Sequence, residues 1–148
     1  SKMAKTHKVV GDINLNPAEY TMFASYKNEK NGFSISRNEI IDCETTDSTY
    51  IDLYDYSNDS TMILSREWRS MTGLQFARFN DFDFENANYS SVTNAYSNSN
   101  KMSKLLNVNN EDIILVGKEN ALGVIKVINV FDETDPMQDR YYFIFKGI

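Results

Sequence analysis

Apolar residues crowd both parities of the last stretch of the chain, "GVIKVINVFDETDPMQDRYYFIFKGI" (123–148). Val124, Ile128 and Val130 share one parity while Ile125, Val127 and Phe131 share the other. In the closing run Tyr141, Phe143 and Phe145 alternate with Tyr142 and Ile144. An antiparallel strand wetted on one side alternates apolar with polar residues, so these two runs predict strands covered on both faces. "DETD" (132–135), ahead of Pro136, predicts the loop between them, and "EDIILVGK" (111–118) predicts a third strand.

Upstream the pattern is that of shorter, half-buried strands. "GFSIS" (32–36) and "EIIDCET" (39–45) flank Arg37-Asn38, a pair suited to a tight turn. In "STYIDLYDY" (48–56) the parity of Ile51 and Leu53 is aliphatic, which predicts a strand with Tyr50, Asp52, Tyr54 and Tyr56 facing outward. "SNDS" (57–60) supplies turn chemistry, and "TMILS" (61–65) then predicts the returning hairpin partner. Alternation resumes in "LQFARFNDFDFEN", with Phe76, Arg78, Asn80, Phe82 and Phe84 opposite Ala77, Phe79, Asp81, Asp83 and Glu85. From Asn88 the spacing changes to three and four through Val92, Ala95, Tyr96, Met102, Leu105 and Leu106. That spacing predicts one short helix around 88–106, best defined over 88–97, with Asn88 as its cap and "SNSN" interrupting it.

The expected class is mostly β (α+β), an antiparallel β-sandwich-like domain with that one helix. The helix is expected over one face of the carboxy-terminal strands, and a second sheet built from residues 33–64 over the other.

Length and charge narrow the function classes. The 148 residues suit a single domain, 1–148, with residues 1–10 as a flexible or loosely docked lead-in in which "HKVV" is a candidate strand. A net charge of -6, with Lys and Arg scattered, argues against a nucleic-acid partner. No apolar run approaches the roughly 20 residues that span a bilayer, and "SKMAKTHKVVGDINL" lacks the apolar core of a signal peptide. Contact with a membrane is therefore expected only through a lipid anchor outside this chain. The Asn, Ser, Asp and Tyr richness of "YDYSNDS" and "NANYSSVTNAYSNSN" suits an exported bacterial protein.

Chemistry-bearing residues are sparse. His7 is the sole histidine and stands in the lead-in, far from any nucleophile, so a Ser-His or Cys-His unit has no base. Cys43, the sole cysteine, excludes an internal disulfide and reads as a small hydrophobe in a strand. Asp81, Asp83 and Glu85 recur at alternate positions; a solvated edge explains them, and the other reading is calcium, which takes roughly six to eight oxygens, usually around a Gly-containing bend absent here. Catalytic and metal-ligating residues are accordingly read as none. Tyr50, Tyr54 and Tyr56 form a stripe that either pairs across strands or stacks on a sugar or flat cofactor. Trp68, between Arg66 and Arg69, reads either as a core plug or as a ligand anchor. Met62 and Met71 read as core filler.

Two blocks covering about half the chain carry a resemblance. "NGFSISRNEIIDCETTDSTYIDLYDY" resembles a segment of small surface lipoproteins of Bacteroidota, in which an F-S-x-x-x-x-E-I strand leads into a D-x-D/A-x-x-x-Y strand. "DIILVGKENALGVIKVINVFD…RYYFIFKG" is similar to their carboxy-terminal hairpin and Y-x-F-x-Y strand. The described relatives are HmuY-like haemophores, which hold haem between a pair of His or a pair of Met from the middle of the chain. This sequence has no His there, and Met62, Met71 and Met102 occupy that region. The resemblance implies a secreted or outer-membrane-surface protein, after signal removal, with a mostly-β fold. The expected function is a non-enzymatic domain that binds or scaffolds, with a glycan or a surface protein among its expected partners and no cofactor. The alternative is a haem or porphyrin carrier that uses Met ligands.

Overall fold

The computed structural model describes residues 10–148. His7 and almost all of the expected lead-in lie outside the described residues; Val10 opens a short 3-10 turn, Val10–Asp12. Among the described residues ten strands form two antiparallel sheets, and one α-helix lies outside them. The strands are β1 (Pro17–Phe23), β2 (Gly32–Ser34), β3 (Glu39–Ile41), β4 (Leu53–Asp55), β5 (Trp68–Arg69), β6 (Gln75–Arg78), β7 (Lys104–Leu105), β8 (Ile113–Lys118), β9 (Ala121–Phe131) and β10 (Arg140–Gly147). The larger sheet has the order β1-β10-β9-β8-β6 and the smaller one β3-β2-β4-β5-β7. The helix α1 is Tyr89–Ser97.

The larger sheet is the middle layer, which explains its greasy strands. Toward the smaller sheet it presents Met22, Phe76, Ile114, Val116, Ile125, Val127, Tyr141, Phe143 and Phe145, packed with Phe33, Leu53, Trp68 and Leu105. Toward α1 it presents Ala77, Ile113, Leu115 and Val124, packed with Val92 and, less deeply, Ala95, Tyr96, Leu122 and Ile144. The aromatic rings interlock across the sheets: Phe33 meets Phe143 and Phe145 edge-on at 5.4 and 5.3 Å, and Trp68 meets Tyr141 at 5.3 Å. Such pairs add about 0.5–1.5 kcal/mol to the area they bury.

One feature of β9 corrects the parity reading. The register steps from Tyr142↔Asn129 to Phe143↔Val127, so Ile128 is an extra residue, a β-bulge. The bulge places Val127 and Val130 on the same face although their numbers differ in parity. Part of the apparent two-faced greasiness of 121–131 is thus a phase change within one strand.

Other differences are local. Asn88 caps α1 as expected: its side chain accepts from the Ser91 amide and the Ser91 hydroxyl accepts from the Asn88 amide. The helix stops at Ser97, however, and does not run to 106; Lys104–Leu105 pair with β5 instead. The Asn-rich "SNSN" favours turns over helix interior because its short side chains compete for the backbone, and Asn98 does bond back to the Asn94 carbonyl. The partners of β4 are β2 and β5, not 61–65, which forms an irregular excursion held by the Asn58 side chain on Ser60. Strand expectations at 32–36 and 39–45 shorten to Gly32–Ser34 and Glu39–Ile41, with Asn38 at positive φ in the turn between them. Likewise Pro136–Gln138 forms a 3-10 turn capped by Asp135 within the β9–β10 connection.

Candidate functional site

The expected strand over 48–56 is broken, and the tyrosine stripe with it. Tyr50 ends a 3-10 turn, Ser48–Tyr50, capped by Asp47, and only Tyr54 lies within β4. The ring of Tyr50 lies under the Arg37 guanidinium at 3.8 Å and that of Tyr56 under Arg69 at 3.5 Å, so one face of each is already taken. Tyr54, Tyr56 and Met71 do converge, with Cys43, Glu44 and Asp59, around a hollow of about 260 Å³. Met62 lies outside that hollow, exposed on the 59–62 turn. Trp68 is wholly buried between the sheets, where its indole N–H finds no partner among the described residues. The core-plug reading of Trp68 is the one its position supports.

Beneath this hollow lies a polar network that the alternating pattern hid. Asp55 is buried and accepts hydrogen bonds from the Tyr141 hydroxyl at 2.6 Å, the Ser25 amide at 3.2 Å and the Ser65 hydroxyl at 3.4 Å. Burial pushes its carboxyl above the ordinary range, against the pull of those donors. Nearby, buried Asp139 accepts from the Tyr26 hydroxyl and from the Glu133 amide. Cys43 is half-buried, its thiol donating to the Asn31 carbonyl, and burial followed by the charges of Glu44 and Asp42 raises its pKa to about 12. A thiol so held is not a nucleophile at neutral pH.

The other buried ionisable groups are also occupied. Asp52, expected to face water, is fully buried and joins the Ile35 amide, the Thr72 hydroxyl and the Lys118 ammonium at 2.7, 2.6 and 2.6 Å. Lys118 belongs to the larger sheet and Asp52 precedes β4, so this pair ties the layers together. Lys146 donates to the Phe84 and Glu85 carbonyls and pins the 84–85 turn to β10; burial lowers its pKa.

A broad cleft walled by α1 and the segment that follows β6 has a different character. It measures about 650 Å³, within the roughly 300–1,000 Å³ of small-molecule sites. Arg78, Phe79, Asp81, Phe82 and Asp83 form one wall, and Ser91, Asn94, Ala95, Asn98, Ser99 and Asn100 the other. The first wall is held firmly. The Phe79 amide bonds the Ile113 carbonyl at 2.8 Å, Asn80 bridges the Ile113 amide and Asp112, and Arg78 grips Asp112 and the Leu106 and Asn107 carbonyls. Phe82 is buried and its ring packs tilted against the exposed Phe79 ring, centroids 6.0 Å apart.

The second wall rides on α1, which is seated by Tyr96. Its hydroxyl donates to the Gly117 carbonyl at 3.1 Å, and its ring lies so close that a Cβ at Gly117 would fall 2.6 Å from Cζ. Both Asp81 and Asp83 line the cleft, Asp83 also accepting from the Asn86 main-chain and side-chain amides. No group of three or more acidic, His or Cys side chains converges as a metal site among the described residues. A groove of about 690 Å³ also runs beside β1, lined by Val10, Ile13, Tyr20, Ile35, Tyr89 and Phe145 among others.

Comparison with known proteins returns no match. No family model matches the chain, and none emerges among curated proteins or solved structures. The cleft must therefore be read on its own geometry. Of its walls, sequence reasoning had singled out Asp81 and Asp83 and the helix, but not their meeting. No local spacing encodes that meeting, because α1 reaches the turn only by packing on β8 and β9.

Proposed function

We propose that this chain is a non-enzymatic binding domain of a bacterial surface or secreted lipoprotein, and that the cleft between α1 and residues 78–83 receives its ligand. The observation that carries this reading is a contrast between two kinds of polar group. Asp52, Asp55, Asp112, Asp139 and Lys146, all buried, are spent on internal hydrogen bonds that hold the sandwich together. The side chains of Asp81 and Asn100 instead border an open, preformed concavity beside an exposed ring, with Asn94, whose carbonyl oxygens take the Asn98 amide, next to them. Rigid walls reduce the ordering cost of binding, and groups not already committed are the ones available to a ligand.

The test is shift mapping. Amide NMR spectra of the labelled protein, recorded against a mixed library of sugars, amines, peptides and aromatic acids, should show changes clustered at Phe79–Asp83 and Asn94–Asn100. Changes clustered elsewhere, or none, would overturn the site. The surface assignment rests on the resemblance of 31–56 and 112–147 to Bacteroidota lipoproteins, and palmitate labelling of the full-length gene product in its native host tests it. The haem-carrier alternative asks for two sulfurs across one pocket, whereas Met71 borders the 260 Å³ hollow and Met62 does not. A haemin titration without a Soret shift would remove it.

A further inference from the structure

We infer that the cleft between α1 and residues 78–83 is a site for a neutral saccharide; this deepens the binding-domain reading and rests on it. The composition of the two walls carries the inference. Phe79 offers an exposed aromatic ring, 41 % of its surface being open, with the buried Phe82 ring tilted against it at 6.0 Å. The C–H face of a pyranose is the apolar surface that fits such a ring, as sugar-stacking aromatics use it. Opposite stand Asn94, Asn98 and Asn100 with Ser91 and Ser99.

Amides and hydroxyls both donate and accept, and so do sugar hydroxyls; an ammonium ligand would only donate and would offer no acceptor to the Asn94 and Asn100 N–H₂ groups, that of Asn98 being already bonded to Asn94. An anionic ligand would meet Asp81 and Asp83 on the facing wall. Arg78, on the cleft wall, already serves Asp112 and two main-chain carbonyls, and Lys101, next to Asn100, is turned onto the Ser97 and Ser99 carbonyls. Asp81 supplies a charged acceptor, and charged acceptors make the stronger hydrogen bonds to hydroxyls. Chemistry on a bound sugar is not required of this site, because the pattern is one of stacking and hydrogen bonding alone.

The experiment titrates the labelled protein with neutral gluco-, manno- and galacto-oligosaccharides and, in parallel, with spermidine, following amide shifts. The expected result is saturable movement at Phe79–Asp83 and Asn94–Asn100 with one of the sugars. Phe79→Ala should weaken that binding about five- to tenfold and Asp81→Asn about threefold, while Tyr56→Ala, outside the cleft, leaves it unchanged. If spermidine or another class moves the cleft and no sugar does, the saccharide inference falls and the binding-domain reading stands. If sugars bind but Phe79→Ala changes nothing, the ring is not the platform and the inference also falls. If nothing moves the cleft, both readings fall.

Discussion

Cys43 and Asp55 show how far burial separates a residue from its ordinary chemistry. With the thiol pKa near 12, thiolate is scarce at neutral pH. Iodoacetamide should therefore modify Cys43 at least tenfold more slowly in the folded protein than in urea, with mass spectrometry counting the adduct; equal rates would refute this placement. For Asp55 the shift runs upward from its ordinary 3.8, with burial as the leading cause. A carboxyl whose folded pKa exceeds its unfolded one stabilises the fold fully below the unfolded pKa and loses that contribution as pH rises through the folded pKa. The stability of the wild type relative to Asp55→Asn should thus fall as pH climbs through the carboxylate range. Carboxyl-carbon NMR of Asp55 should give a midpoint above 3.8; a midpoint below it would reverse the sign. Neither residue was legible in these terms. Cys43 was read as a hydrophobe, which agrees with its burial, but Asp52 looked outward by alternation and is buried. Alternation counts polarity and cannot see that an aspartate has an amide, a hydroxyl and an ammonium waiting for it.

At the scale of elements, periodicity found what local sequence determines. The Asn88 capping box, the Asn38 turn and the two-faced β8, β9 and β10 all follow from residue types at fixed offsets. Missed were β1, whose seven residues drew no strand expectation, and β5 and β7, two residues each, which exist only because longer-range partners hold them. A two-residue strand carries no period, so no pattern could reveal it. The cap has a measurable worth: Asn88→Ala should cost about 1 kcal/mol in urea denaturation, since it removes the acceptor of the Ser91 amide. Asn88→Gly should cost only a few tenths. Equal losses would mean that Asn88 acts by packing and not by capping.

The whole molecule is three layers, α1, the larger sheet and the smaller sheet, with Trp68 near the middle of the inter-sheet core. Trp68→Ala should cost about 3–5 kcal/mol by cavity formation. Trp68→Phe should cost distinctly less, because the indole N–H that it removes has no hydrogen bond to lose. Both values come from chemical denaturation at one pH. As the sole Trp, buried away from the α1 cleft, Trp68 should report unfolding while its fluorescence stays unchanged on ligand binding. The layering was legible from the two-faced strands. The cleft was not, because its walls come from segments that touch only after the helix has docked.

That docking depends on the bare backbone of Gly117, on which the Tyr96 ring rests. A methyl group there would lift α1 like a shim under a door frame, and Asn94 and Asn98 would shift with it. The aperture of the cleft is therefore set from underneath, by a residue outside its lining. Variation at position 117 would change the width of the cleft while leaving every side chain that lines it unaltered.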